Sequence, residues 1–446
     1  MFYFLSGIWR RFRLHPSQFV LLAFLLCAHS ATSVAEESLT LSEATQRVLA
    51  NHPELQVFRW RFKAIDGMRQ SAELRPAYDL GVEAENLVGS GDFSGTESAE
   101  LTLSLSSVIE LGDKRSSRVA VADSRYALAQ AEREAKALDL LGLVTQGFIA
   151  TLSLQKKLEV AQEATQLAEQ SYRLVCTRVK RGAAPEAERL RAQAVLKQAK
   201  MQQDALMAEL VSRKFTLASL WNAERADFNH ISGDLFKFEE PSTFDALYQR
   251  VAASPAVQVF ASEERLRDAE VALARSQSTS NVQWSLGVRR FEDAGDSALT
   301  AGISVPLFSG RRNRGEVQSA LAEREVVRYR REAALRAIRA RLFEAWKTYQ
   351  QSATATQEMR TEVLPALEKA LEETRQAYER GRYSYVDWVT AQRELLDARM
   401  ATIDAATIAL LNQALIEQLT AEPLASEPFA SGNGQALDQA TESPRR

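Results

Sequence analysis

The sequence has few of the residues that build enzyme sites, covalent crosslinks or frequent chain reversals. Its 446 residues include two cysteines, four histidines, 19 glycines and 11 prolines. Cys27 lies in a segment that resembles a cleaved leader, so the mature chain keeps Cys176 alone and can form no intrachain disulfide. A secreted chain of this kind must hold its fold by packing or by assembly.

Catalytic and metal-binding patterns are also absent from the sequence. Beyond the leader, the histidines are His52 and His230, and neither neighbours a serine or cysteine motif. There is no glycine-rich phosphate loop, no CxxC pair and no HExxH motif. His52 precedes Pro53 in a predicted turn, and both histidines are expected to cap a helix or face solvent. We therefore expect no enzyme activity, no cofactor and no metal site.

The N-terminus has the features of a secretory signal peptide over residues 1–35. Three arginines between residues 10 and 13 precede an apolar run over residues 19–28, which is too short to cross a bilayer as a finished helix. Small residues at positions 33 and 35 predict cleavage before Glu36. A retained membrane anchor is one alternative. Lipidation of Cys27 is another, although Leu26 stands where lipid attachment favours a small residue.

The mature chain is mildly acidic and has no basic tail. Cleavage removes three arginines and no acid, which leaves 52 Lys+Arg against 58 Asp+Glu and a net charge of −6. Nucleic acid is therefore not an expected partner. No run of 18 unbroken apolar residues follows residue 35, so we predict no membrane-spanning helix. If the chain enters a membrane, it does so with strands.

The rest of the chain reads as two copies of one unit. Long helical patterns end at Arg181-Gly182 and at Arg380-Gly381, with the two glycines 199 residues apart. Each copy is predicted to contain an opening helix, a β-hairpin, a long helix, a tight turn and a return helix. The first copy is 36–225, with strands at 76–86 and 98–109, a long helix at 113–180 and a return helix at 185–225. The second copy is 242–421, with strands at 280–290 and 298–308, a long helix at 313–380 and a return helix at 384–420. Residues 226–241 are a predicted linker and 422–446 a predicted disordered tail.

The predicted strands alternate apolar and polar side chains, as Leu101, Leu103 and Leu105 do with their neighbours. Each hairpin stands alone between long helices, and an isolated hairpin is not stable in water. Strands of about 10 residues suit a tilted membrane span, and an open sheet edge is costly in lipid. Four strands are too few to close a barrel in lipid, so an oligomer must complete it, and a homotrimer would give roughly twelve strands.

The turns between long and return helices hold the candidate site. Asp387 lies six residues after Gly381, and Glu188 lies six residues after Gly182. In a threefold assembly, one acid at each tip becomes a ring that attracts cations. Alternatively, each acid simply favours the N-terminus of its helix. Residues that could tie such a ring are Tyr378, Arg380, Arg382 and Tyr383, with Arg181 at the first turn; Tyr385 and Trp388 are expected to pack or to form a docking surface.

The duplicated plan and the spacing Tyr378-x-x-Gly381-x-x-Ser384-x-x-Asp387 resemble the TolC-like outer-membrane efflux factors over residues 38–420. Residues 108–115, Val-Ile-Glu-Leu-Gly-Asp-Lys-Arg, are similar to the segment after the second strand in the heavy-metal branch. Residues 305–312 have the general family form. The chain departs from the pattern at Thr390, where some relatives carry a second acid, and at Tyr383, where some carry arginine.

This resemblance implies a mainly α protein with a membrane β-barrel. It also implies a trimeric exit duct that is continued by a periplasmic helical barrel and docks on a periplasmic adaptor (membrane fusion) protein and an inner-membrane resistance–nodulation–division-type pump. The implied cargo is heavy-metal cations, and Tyr378 and Asp387 stand where family gates have a tyrosine and an acid. A drug-efflux or type I protein-secretion duct is the alternative within this fold. A secreted coiled-coil structural or adhesive protein is the alternative outside it, although the amphipathic strands would then have no apolar partner.

Overall fold

The computed structural model describes residues 38–239 and 242–422, with the side chain of residue 92 left out. The predicted signal peptide with Cys27, two residues of the linker and nearly all of the predicted tail lie outside the described residues. The helices are α1 (Leu41–Asn51), α2 (Pro53–Glu73), α3 (Lys114–Lys180), α4 (Glu186–Ser219), α5 (Phe244–Val251), α6 (Pro255–Gln277), α7 (Ser309–Arg312), α8 (Arg314–Glu358), α9 (Leu364–Glu379) and α10 (Tyr385–Thr420). The strands are β1 (Ser38–Leu39), β2 (Tyr78–Glu85), β3 (Glu100–Ile109), β4 (His230–Ile231), β5 (Val282–Phe291) and β6 (Ser297–Ser304).

The two hairpins join into one four-stranded antiparallel sheet of order β2-β3-β5-β6. The sequence predicted two hairpins of a shared barrel without specifying how they join, and β3 pairs along its whole length with β5. In register, Leu80 lies opposite Leu105, Leu105 opposite Leu286, and Leu286 opposite Ala301. Apolar side chains therefore form continuous rows across all four strands.

The exposed face of this sheet is the apolar one. On β3, Thr102 is 6% exposed whereas its neighbours Leu101 and Leu103 are 52% and 51% exposed. On the edge strand β6, Leu299 and Ile303 are 87% and 79% exposed. This is the reverse of a sheet in a water-soluble protein, and it matches strands that present their apolar side chains to lipid.

The helices near the sheet follow the strand order. Helix α2 packs on α3, α3 on α6, and α6 on α8. Ion pairs link neighbouring helices at equal distances from the sheet. Arg69 on α2, for example, pairs with Asp123 on α3 at 2.7 Å. With 67 residues, α3 alone is a rod of about 100 Å. Towards its other end it is flanked by α4 and α10.

Midway along the rod, the short helices α1 and α5 cover the long ones. The first core cluster surrounds Phe148 and includes Leu39, Val48 and Leu410, while Tyr349 and Leu247 belong to a second. Helix α3 also contains an 18-residue stretch apolar enough by composition to cross a membrane, but 67% of that stretch is buried inside the protein. This stretch of α3 therefore serves as core packing.

The structure differs from the predicted element boundaries at several points, each with a local cause. The return helix predicted to residue 225 ends at Ser219, because Asn222 adopts a left-handed conformation with φ +62°. Strand β6, predicted to residue 308, ends at Ser304 just before Pro306, which has no N–H for a ladder. The helix predicted over 313–380 is divided by a π-helical turn over Met359–Val363, which precedes Pro365.

Candidate functional site at the helical tip

Both helix-to-helix turns at the tip have the same hydrogen-bond pattern. At the first, Gly182 donates to Val179 O and Ala183 to Arg178 O, both at 2.9 Å. At the second, Gly381 donates to Tyr378 O and Arg382 to Ala377 O, again at 2.9 Å. Glycine is required at both because φ is +71° and +74°. The two turns therefore end α3 and α9 in equivalent ways.

Tyr378 links the two turns through its side chain. Its phenol O–H donates to Glu188 Oε2 at 3.1 Å, which joins the last turn of α9 to the first turn of α4. The guanidinium of Arg178 lies 4.5 Å from the centre of the Tyr378 ring and donates to Tyr378 O at 2.9 Å. Burial, followed by the charge of Glu188 and the bond to it, raises the pKa of Tyr378 to about 12, so the phenol remains a donor at physiological pH.

The Tyr378 ring lies in an aromatic cluster that holds the tip together. Trp388 stacks on it at 5.1 Å, and Tyr385 meets it edge-on at 6.2 Å. Both partners are buried, so they act as packing residues here. Burial, with a smaller contribution from Glu188, also raises the pKa of Tyr385 to about 12. The cluster fixes the position of the Tyr378 hydroxyl relative to Glu188.

Asp387 is exposed and is bonded within its own turn. Its carboxylate accepts from the Ser384 hydroxyl at 2.7 Å and from Ser384 N at 2.9 Å, while Asp387 N donates to Ser384 Oγ. This is a capping box at the start of α10. The bonds from the Ser384 hydroxyl and backbone lower the pKa of Asp387, so it remains a carboxylate at neutral pH. Asp387 therefore has the local helix-start role that the sequence left open, and the residue is exposed.

The remaining sequence candidates lie around this cluster. Arg380 donates to Gln376 at 3.4 Å, and Arg181, Arg382 and Tyr383 are exposed on the turns. Sequence reasoning missed Arg178, whose guanidinium bridges the turns by donating to Tyr378 O and, at 3.4 Å, to Ala183 O. The available signal was a basic residue in the last turn of α3.

Long helices that carry a sheet with an exposed apolar face at one end, and two hydrogen-bonded turns at the other, are the architecture of an outer-membrane channel protein. The chain belongs to the family described as outer membrane efflux protein, whose model matches residues 44–223 and 246–422. It is therefore an outer-membrane efflux channel protein. These two matched segments each contain one copy of the helix–hairpin–helix–turn–helix plan.

Similar proteins include two that are named as metal resistance proteins. The cobalt-zinc-cadmium resistance protein CzcC of Cupriavidus metallidurans is 26% identical over 292 residues, which covers 66% of this chain and 70% of CzcC. The nickel-cobalt-cadmium resistance protein NccC of Alcaligenes xylosoxydans is 27% identical over 295 residues, 65% of this chain and 66% of NccC. The crystal structure of the outer membrane protein VceC from Vibrio cholerae superposes with a TM-score of 0.69 at 21% identity, covering 85% of this chain and 96% of VceC.

Proposed function

We propose that the chain is one of three identical subunits of a closed duct. The supporting observation is that its layer is open on both sides, with β2 and β6 each lacking a second neighbour in the described sheet. An open strand edge in lipid leaves backbone N–H and C=O groups unpaired, and pairing β2 with β6 of the next subunit removes both edges. Three copies joined head to tail give roughly twelve strands.

The duct needs a periplasmic end that can close, and the tip supplies the residues for one. Tyr378 and Glu188 tie the turn of α9 to that of α4 at 3.1 Å, and Arg178 holds the same tyrosine from α3. Three copies would place three exposed Asp387 carboxylates around the axis. In this proposal Tyr378, Glu188 and Arg178 hold the tip shut, and Asp387 attracts cations to it.

Such a duct transports passively, without chemical change to its cargo. Among residues 38–239 and 242–422, no group of three or more His, Cys, Asp or Glu side chains is placed to hold a metal ion. A passive duct takes its energy from other components, and a periplasmic adaptor and an inner-membrane pump are the proposed partners. The exposed tip residues Tyr383 and Val386 offer a surface for that contact.

Heavy-metal cations are the proposed cargo. The names of the relatives support this proposal, since CzcC and NccC are named as resistance proteins for cobalt, zinc, cadmium and nickel. A drug or protein duct has weaker support, because the likeness to VceC at 21% identity concerns the fold alone. A secreted adhesive protein is set aside by membership of the outer membrane efflux family.

The test is export in cells that carry the matching pump and adaptor but lack this chain. Restoring the chain should restore growth in cobalt, zinc, cadmium or nickel salts. Leu103→Arg, on the apolar face, should abolish the rescue, because a buried cation in lipid costs about 2–4 kcal/mol. Ser104→Arg is the matched control on the polar face and should still insert. Rescue of drug tolerance with unchanged metal tolerance would reject the metal cargo, and equal insertion of both variants would reject the lipid-facing assignment.

A further inference from the structure

The polar face of the sheet carries its charge unevenly. Alternation from the register places these ionisable side chains on that face, within the described strands: Asp79, Glu83, Glu85, Glu100 and Arg289. This face of the sheet thus carries four carboxylates and one guanidinium. If the duct closes as proposed above, this face lines the exit that cargo passes last, so its charge acts on every ion that leaves.

Two of these carboxylates lie directly opposite each other. Glu85 pairs in register with Glu100 at the loop ends of β2 and β3, away from the helices. Opposite residues on neighbouring strands have Cβ atoms about 4.5–5.5 Å apart, and like charges there repel. The side chains are 42% and 22% exposed, so neither is enclosed in a core.

Arg289 on β5 lies against both carboxylates. Its guanidinium forms ion pairs with Glu85 at 2.9 Å and with Glu100 at 2.8 Å, and its Nε donates to Thr102 Oγ1 at 2.9 Å. The amide of Asn86 donates to Glu100 at 3.3 Å. The planar fork of arginine suits two carboxylates better than a lysine ammonium does, because it offers several donors in fixed directions.

The same pair of carboxylates without the arginine would have the composition of a divalent-cation site. Carboxylate oxygens are the ligands that hard divalent cations take. A conduit must attract its cargo and yet release it, and a tight site at the exit would block transport. Arg289 satisfies both demands, because Asp79 and Glu83 remain to attract cations while Glu85 and Glu100 are occupied.

We propose that Arg289 is a specificity-determining residue of the exit, which prevents Glu85 and Glu100 from retaining the divalent cations that the channel passes. The inference rests on the proposed function, since it requires the polar face to line a closed duct. It concerns the loop end of the sheet, remote from the helical tip and independent of how the tip closes.

The experiment measures block of ion current through reconstituted trimers in planar bilayers. Zinc or calcium chloride is added on the side of the strand loops and, separately, on the side of the helical tip. For Arg289→Gln, the half-blocking concentration from the loop side should fall about tenfold or more relative to the unmodified trimer. Adding Glu85→Gln and Glu100→Gln to that variant should return the block to the unmodified level.

Arg290→Gln is the matched control, because it removes the same charge one residue along, on the apolar face beside Glu292. It should leave the block unchanged. Should Arg289→Gln fail to form trimers, Arg289→Lys keeps the charge but not the fork, and a several-fold stronger block is expected. Conducting trimers whose loop-side block is the same in unmodified and Arg289 variants would overturn the inference alone. Purified protein that forms no conducting pore at all would overturn the proposed function and the inference together.

Discussion

At the scale of single residues, the ring and the hydroxyl of Tyr378 have separate roles. The ring is buried between Trp388 and the guanidinium of Arg178, and the hydroxyl reaches Glu188 across the two turns. Packing therefore positions the ring, while the hydroxyl adds a side-chain hydrogen bond between the helical hairpins, beside the one that Arg178 donates to Tyr378 O. Removing the hydroxyl alone should separate these roles.

Tyr378→Phe should leave the aromatic cluster in place and raise the conductance of reconstituted trimers. The loss of one hydrogen bond to a charged acceptor costs about 1.5–3 kcal/mol, which shifts the tip towards an open arrangement. Single-channel recording measures the conductance. Tyr383→Phe is the control, since that side chain is 54% exposed on the turn. Equal conductance in the unmodified protein and both variants would show that the Glu188 contact does not close the tip.

The sequence predicted candidate residues at these two turns but not the bonds between them. Spacing from Gly182 and Gly381 identified Glu188 and Asp387, because a helix start follows each turn. The bond between Tyr378 and Glu188 spans 190 residues of sequence, and no local pattern encodes it. Asp387 was predicted as either a ring acid or a helix-start acid, and its capping box establishes the second role. Its part in a ring of three stays a prediction.

At the scale of elements, the junction from β3 to α3 is locked against the junction from α6 to β5. Gly112 and Asp113 both have left-handed backbones, with φ +78° and +57°. This turn brings Lys114 Nζ within 2.6 Å of Thr279 O, and the lysine is also bonded to Asn281. The segment singled out by its likeness to the heavy-metal branch is thus a structural join between the two halves of the chain.

Gly112→Ala should weaken this join. A methyl group at Gly112 would lie 2.6 Å from Thr279 Oγ1 and 3.2 Å from Ser276 O, and the left-handed backbone adds strain of about 1–3 kcal/mol. The temperature at which trimers dissociate in detergent should fall. Gly310→Ala, in the corresponding segment of the second half, would meet its first neighbour at 3.6 Å and should change little. A fall of the same size in both variants would contradict this account.

Long periodic elements were predictable, and short or paired ones were not. The pattern for a helix over 113–180 is matched by α3 over Lys114–Lys180, because its apolar residues repeat over many turns. The parallel pair of β1 and β4 has two residues in each strand and joins segments far apart in sequence. The pairing of β3 with β5 likewise depends on contacts that alternation within a strand does not specify.

At the scale of the whole molecule, one subunit is a layer with two unlike edges. The α2 edge carries Trp60, 64% exposed, and the α8 edge carries Tyr329, 61% exposed. Ion pairs between neighbouring helices show how far along the rod Trp60 and Tyr329 lie from the sheet. Arg61 bonds Glu132 on α3, and Glu263 on α6 bonds Arg330.

The two inner helices, α3 and α6, run in opposite directions and are also joined by an ion pair. Arg125 on α3 meets Glu270 on α6 at 3.6 Å. Seven residues further from the sheet along each helix, the chain reaches Glu132 on α3 and Glu263 on α6. Trp60 and Tyr329 therefore lie at about the same height on opposite edges. They are too far apart to touch within one subunit, because α3 and α6 separate them.

Head-to-tail closure should bring Trp60 of one subunit close to Tyr329 of the next. With Cys176 replaced by serine, the pair Trp60→Cys and Tyr329→Cys should form disulfides between subunits under oxidation, giving dimers and covalent trimers on non-reducing gels. Trp60→Cys with Phe343→Cys is the matched control, because position 343 lies 14 residues further along α8, about 20 Å away. Each single cysteine variant should remain monomeric on the same gels. Crosslinking at both pairs, or at neither in membranes that contain intact trimers, would mean that the two edges do not meet in this register.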